Sequence, residues 1–142
     1  MKVLPTFFVA VAVAIIAWRQ YSLARAKLNL DLYERRYKIF EATWSFLSNP
    51  DLSRPLGMSP EFTNLFPQAR FLFGVEIEEY MKKASNMKTQ LSMIDMRTRA
   101  HNNFMSPEDI EAHTEISNYF FNEASVGCRT VFGKYLDFSK WS

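Results

Sequence analysis

A chain of 142 residues has room for one modest domain. Its 17 Lys plus Arg against 15 Asp plus Glu leave a net charge of +2, too near balance to indicate nucleic-acid binding. Apolar residues at 48% exclude a disordered chain, 4 Gly and 6 Pro favour long helices over turn-rich β structure, and a single Cys excludes an internal disulfide framework or a cysteine-built zinc cluster.

Val3 to Trp18 (VLPTFFVAVAVAIIAW) carries no formal charge for 16 residues and is bounded by Lys2 and Arg19. That is just short of the roughly 17–25 residues of a membrane-spanning helix. Trp18 is a residue of the headgroup level, and Lys2 and Arg19 can snorkel, which lengthens the span. Pro5 falls in the first turn, where a missing N–H costs little. A cleaved signal peptide would need a polar region ending in small residues, whereas the Ala-rich stretch runs straight into Trp18-Arg19-Gln20. A buried core helix would need a body large enough to wrap a segment that is apolar on every face. An uncleaved anchor over residues 1–20 is the reading these residues favour.

Cations set the expected orientation. Arg19, Arg25, Lys27, Arg35, Arg36 and Lys38 follow the apolar run, and only Lys2 and the α-amino group precede it. The N-terminus is therefore expected outside and residues 21–142 in the cytoplasm, with a single pass through the cell membrane. Lys2, Trp18, Arg19, Arg25 and Lys27 are the expected membrane-interface residues, the cations meeting anionic headgroups. Arg35 and Arg36 lie farther along and read as ion-pair partners of Asp31 and Glu34. Thr6, Ala10 and Ala14 form a small-residue stripe, a possible face for self-association of the membrane helix.

Beyond the anchor the helix continues. Leu23, Ala26, Leu30, Tyr33, Tyr37, Phe40, Trp44 and Leu47 interleave two seven-residue series, the pattern of helices packed side by side. Leu32, Ile39 and Phe46 form a second stripe, and the widened apolar face predicts a multi-helix bundle over a two-stranded coiled coil. Asn49-Pro50 ends the helix, and residues 48–60, with three prolines and Gly57, read as a loop. Ser59-Pro60-Glu61 opens a short helix that Pro67 limits or kinks. Phe62, Leu65, Phe66, Phe71, Leu72 and Phe73 are expected to plug one end of the bundle. A third helix spans Val75 to about Asn103 on the series Ile77, Ala84, Leu91, Thr98 and Tyr80, Met87, Ile94, His101. Ser106-Pro107-Glu108-Asp109 caps a fourth, expected to run to about Tyr135 with Ile110, Phe121, Ala124, Cys128, Val131 and Tyr135 on its inner side and Gly127 weakening its middle. The short connection predicts that the third and fourth helices are antiparallel.

The chemistry-bearing residues are sparse. His101 and His113 lack the Glu-x-x-His spacing of a di-metal bundle, because Thr98 and Ile110 stand three residues before them. Cys128 reads as a buried structural thiol. Glycines 57, 74, 127 and 133 are too scattered for a phosphate loop. The acidic openings Glu76, Glu78, Glu79 and Glu108, Asp109, Glu111 suit helix N-termini. Arg97 and Arg99 read as a solvated face. No catalytic, cofactor-binding or metal residue is assigned.

Lys27 to Ala42 (KLNLDLYERRYKIFEA) resembles the post-anchor segment of an uncharacterised family of small bacterial proteins with an N-terminal membrane anchor and a helical cytoplasmic domain. Phe71-Leu72-Phe73-Gly74 with Glu76-Ile77-Glu78-Glu79-Tyr80, and Tyr135-Leu136-Asp137-Phe138-Ser139-Lys140, look like the same group. The resemblance implies a bacterial, membrane-tethered helical protein and carries no enzymatic activity with it.

The expected protein is all-α: one transmembrane helix continuing into an antiparallel bundle of three long helices and one short one. Its expected function is a non-enzymatic membrane-tethered interaction or scaffold protein. Its expected partners are the bilayer, a protein and, as a candidate, a second copy of itself, without nucleic acid or cofactor. The alternative is a ligand-binding sensor or enzyme with a site in the aromatic 62–73 region.

Overall fold

The structure, a computed structural model, describes residues 3–48 and 60–137, with side chains from residue 7 onward. Lys2, the side chains of Pro5 and Thr6, residues 49–59 with the Ser59 cap, and Phe138 to Lys140 lie outside the described residues. Among the described residues six α-helices follow in order: α1 (Val3–Ser48), α2 (Pro60–Thr63), α3 (Phe66–Phe73), α4 (Val75–Ala100), α5 (Pro107–Asn122) and α6 (Cys128–Leu136). A π-helical turn, Glu123–Gly127, joins the last two. No strand occurs among the described residues.

The apolar run and the seven-residue series belong to one unbroken helix of 46 residues. Two expectations change at the short elements. The single short helix is two, because the chain turns at Asn64-Leu65 and restarts with Pro67 in the first turn of α3, where a proline has no hydrogen bond to break. The fourth helix is interrupted at Glu123–Gly127 before α6 resumes. Between α3 and α4 the chain pivots on Gly74 at φ 98° and ψ −172°, a region open to glycine alone. Helix α4 stops at Ala100, three residues earlier than expected, where Asn102 and Asn103 take left-handed φ values of 58° and 63°. Ser106 caps α5 as the sequence indicates, its Oγ accepting from the Asp109 N–H at 3.2 Å.

The helices meet around one apolar core. Ile39, Phe46 and Leu47 of α1 pack with Phe62, Ala69, Phe73, Ile77, Met81, Leu91, Phe120, Cys128 and Phe132. Rings dominate it: Phe46 stacks on Phe62 at 3.9 Å, and Phe132 meets Phe40 at 5.6 Å and Phe73 at 5.2 Å. The core face of α1 is the secondary stripe, Leu32, Ile39 and Phe46, completed by Arg36 and Thr43. The dominant seven-residue series instead turns outward at Leu23, Leu30 and Tyr37, at 73%, 51% and 45% exposure, and meets the core near its end through Phe40 and Leu47. The polar members of the core face explain the misplacement. Thr43 is fully buried because its hydroxyl donates to the Ile39 carbonyl at 2.8 Å. Arg36 reaches carbonyl groups described below. On the last helices the inner residues are Ile116, Phe120, Cys128 and Phe132, whereas Ile110 and Phe121 stand outside at 52% and 72%. The wider π turn rotates the residues after it against those before it, so one α-helical projection cannot serve the whole segment.

Candidate functional site: the exposed half of helix α1

Every residue from Phe7 to Leu28 is exposed, a stretch of 22 residues. At 1.5 Å per residue it projects about 33 Å; the charge-free run Val3–Trp18 accounts for about 24 Å of helix, against the roughly 30 Å hydrocarbon thickness of a bilayer. The helix that contains it is long and apolar enough to cross a membrane, and none of its most apolar window is buried. Phe7, Phe8, Val9, Val13, Ile15, Ile16 and Trp18 all stand in the open. An apolar surface of this extent loses about 25 cal/mol for each Å² left in water, so burial in lipid or protein is strongly favoured.

Of the expected interface residues, Trp18, Arg19, Arg25 and Lys27 are exposed and lie on the projecting stretch. The three cations form no ion pair among the described residues. Ala10 and Ala14 are exposed as well. At about 100° per residue, the Thr6, Ala10, Ala14 stripe and the Leu23, Ala26, Leu30 seam lie on roughly opposite sides of the helix.

The junction with the body starts at Asn29, the first half-buried residue, and is fixed by Arg36. Its Nε donates to the Leu72 carbonyl at 3.1 Å and its Nη1 to the Tyr135 carbonyl at 3.5 Å, and the guanidinium lies 5.5 Å from the Phe73 ring centre. Both carbonyls belong to last turns, of α3 and α6, where partial negative charge accumulates and intrahelical partners run out. Arg36 thus ties two helix ends to α1. Partial burial lowers the Arg36 pKa, and the nearby Tyr135 opposes that shift. Among the described residues no ion pair joins Arg35 to Asp31 or Glu34, contrary to that part of the sequence reading. Farther down, the Trp44 indole N–H donates to the Ala124 carbonyl of the π turn at 3.0 Å.

The acidic helix openings also join elements. Glu76 binds Lys134 and accepts from the Tyr135 hydroxyl at 2.8 Å, which ties the start of α4 to α6. Lys134, then Tyr135, hold its carboxyl below the ordinary range. Glu78 takes Lys82 at 2.7 Å and Arg70 at 3.4 Å and is likewise lowered, chiefly by the Lys82 hydrogen bond. Asp109 pairs with Arg97 at 2.5 Å, and that bond lowers its pKa.

At the π turn, Tyr80 donates to Glu123 at 2.7 Å, and the Glu123 carboxylate folds back over Gly127, where a Cβ would lie 2.0 Å from its oxygen. Burial, reinforced by Glu123, pushes the Tyr80 phenol well above its usual range. Burial pushes the Tyr119 phenol and the Cys128 thiol up to about 12 each. All three groups are therefore neutral near pH 7, and the thiol is not a ready nucleophile. His101 is exposed, with Nδ1 2.8 Å from the Arg97 carbonyl, and His113 lies 3.5 Å from Ser117 Oγ. Among the described residues, no group of three or more His, Cys, Asp or Glu side chains is arranged to hold a metal ion.

The rings of the 62–73 region are engaged in packing, apart from the exposed Phe71. A cavity of about 430 Å³ lies elsewhere, between Trp44 and Leu47 of α1, Leu91 of α4, and Phe120 with Ala124. No family model, curated protein or solved structure matches the chain.

Proposed function

We propose that the chain is a non-enzymatic, membrane-tethered helical interaction or scaffold protein. The leading apolar segment is a single-pass anchor in a bacterial inner membrane, with the N-terminus outside. Residues 21–142 form an antiparallel helical bundle held on the cytoplasmic side. The observation that carries this reading is the 22-residue exposed stretch Phe7–Leu28, which finds no cover in its own body. The excess of Arg and Lys after the span supports the orientation. Arg19, Arg25 and Lys27 sit where headgroups would meet them, and Lys2 flanks the other side. About 15 Å of exposed helix separates Trp18 from Leu28, which sets the body beyond these cations. The polar side chains of the body, Arg36, Trp44, Glu76, Tyr80 and Asp109, join helices to one another. This suits a rigid presenting scaffold with a protein partner. The engagement of the 62–73 rings in packing favours this reading over a ligand site there.

Fractionation of cells expressing the full chain tests the reading. The intact chain is expected in the membrane pellet after an alkaline wash, and affinity capture from those membranes is expected to enrich a partner over a bare-anchor control. Full-length chain in the detergent-free soluble fraction, or a processed chain beginning near Trp18, would overturn the anchor. Capture no different from the control would overturn the scaffold role.

A further inference from the structure

We propose that helix α1 pairs in parallel and in register with α1 of a second copy, along Leu23, Ala26, Leu30 and Tyr37. The inference rests on the membrane-anchor reading, because insertion in a common direction is what sets two copies parallel.

Three observations point to a second copy. Among the exposed apolar residues of the stalk, Leu23, Ala26, Leu30 and Tyr37 share one side at intervals of three, four and seven, while Tyr21 and Leu28 lie off it. That spacing fits a like helix alongside at a shallow angle, each apolar side chain entering a hole of its neighbour. The seam also remains outside although the same helix buries Leu32, Ile39 and Phe46 in its own body to varying depth, so the body does not cover it. Finally, the seam's edges are compatible with a copy of themselves. In a parallel, in-register pair Lys27 meets Ser22 and Glu34 meets Asn29, with no like-charge contact, and Glu41 faces Arg36, which the body already engages. Within the chain, Lys27, Glu34 and Glu41 form no ion pair among the described residues, which leaves them available to the copy.

The seam is short for a dimer in free solution, and confinement in the bilayer supplies the effective concentration it needs. The opposed Thr6, Ala10, Ala14 stripe cannot share the same two-helix interface. This separates the pairing proposed here from association through the small residues.

Oxidative cross-linking of the full chain in isolated membranes tests the proposal. Facing central positions of a parallel pair come within disulfide reach, and positions on the far side do not. The native chain, with Cys128 buried, is the blank. Leu23→Cys and Leu30→Cys are expected to give disulfide-linked dimers of twice the chain mass, several-fold above Leu28→Cys, Arg35→Cys and Ala10→Cys. Equal yields at all positions, a maximum at Ala10→Cys, or seam cysteines linked to a different protein would overturn it. An alkaline wash of the same sample keeps the two readings apart. A chain that washes out yet keeps the seam pattern overturns the anchor and keeps the pairing. A retained chain without that pattern does the reverse.

Discussion

The two halves of α1 are one helix in two surroundings. From Phe7 to Leu28 every residue is exposed, whereas Ile39, Thr43, Phe46 and Leu47 are buried in the body. As far as Trp18 the first half is apolar all round and needs a solvent that is apolar all round; Arg19, Arg25 and Lys27 follow. The second is apolar on one face and carries Asp31, Glu34, Lys38 and Glu41 on the others, as a helix between core and water does. Apolar content alone does not separate the halves. What separates them is whether polar residues interrupt the pattern and where the rest of the chain packs.

The largest expected effect sharpens this contrast. Leu47→Ala opens a void in a fully buried site and is expected to destabilise the body by about 3 kcal/mol, within the range of such truncations. Ile15→Ala in the exposed half is expected to leave body unfolding in denaturant unchanged, as followed by circular dichroism of the solubilised chain. An equal loss from both would mean that the exposed half packs on the body.

Val13→Arg reverses the test. A cation at the middle of a span costs about 2.5–3.5 kcal/mol on insertion scales. The membrane-bound fraction after an alkaline wash is expected to fall, while the unfolding midpoint of the body stays in place. Undiminished retention would remove lipid as the solvent of this half.

Arg36→Ala acts at the boundary. Its loss frees the Leu72 and Tyr135 carbonyls and is expected to cost about 1–2 kcal/mol, with faster amide exchange at the ends of α3 and α6. Arg36→Lys keeps the charge without the fork and is expected to restore only part. Full stability in Arg36→Ala would mean that the apolar contacts alone fix α1.

The smallest effect is a pH dependence confined to the body. The folded pKa values of Glu76, Glu78 and Asp109 lie below the ordinary 4.5, 4.5 and 3.8. Their contribution is therefore complete above those ordinary values and is lost as the pH falls through the lowered ones. Acid unfolding of Asp109→Asn is expected to show a shallower pH dependence below about pH 4 than the parent chain. Identical acid profiles would mean that the Arg97 pair contributes nothing.

Much of the architecture was legible in the residues. The run from Val3 to Trp18, the Pro60 and Pro107 starts and the Ser106 cap marked where helices begin, because proline and capping side chains act locally. The face of α1 that enters the core was harder to see. Arg36 and Thr43 interrupt it, and only the packed structure shows that one bonds to distant helix ends and the other to its own backbone. The buried Glu78 and Lys88 of α4 hide in the same way. Gly127 was the one local sign of the π turn, and it did not foretell that Glu123 would fold over it or that Trp44 would bond to Ala124. That Arg19, Arg25 and Lys27 follow the apolar run is read directly from the sequence, and the structure leaves all three exposed.

The most direct test of the central claim is tryptophan quenching by lipids brominated at a series of acyl-chain depths. It uses the full chain carrying Trp141→Phe, reconstituted in vesicles, with and without Trp18→Phe. The account predicts strongest quenching of Trp18 by bromines nearest the headgroups and no quenching of Trp44, which sits in the body. Trp18 emission indifferent to brominated lipid, or Trp44 quenched as strongly, would contradict it.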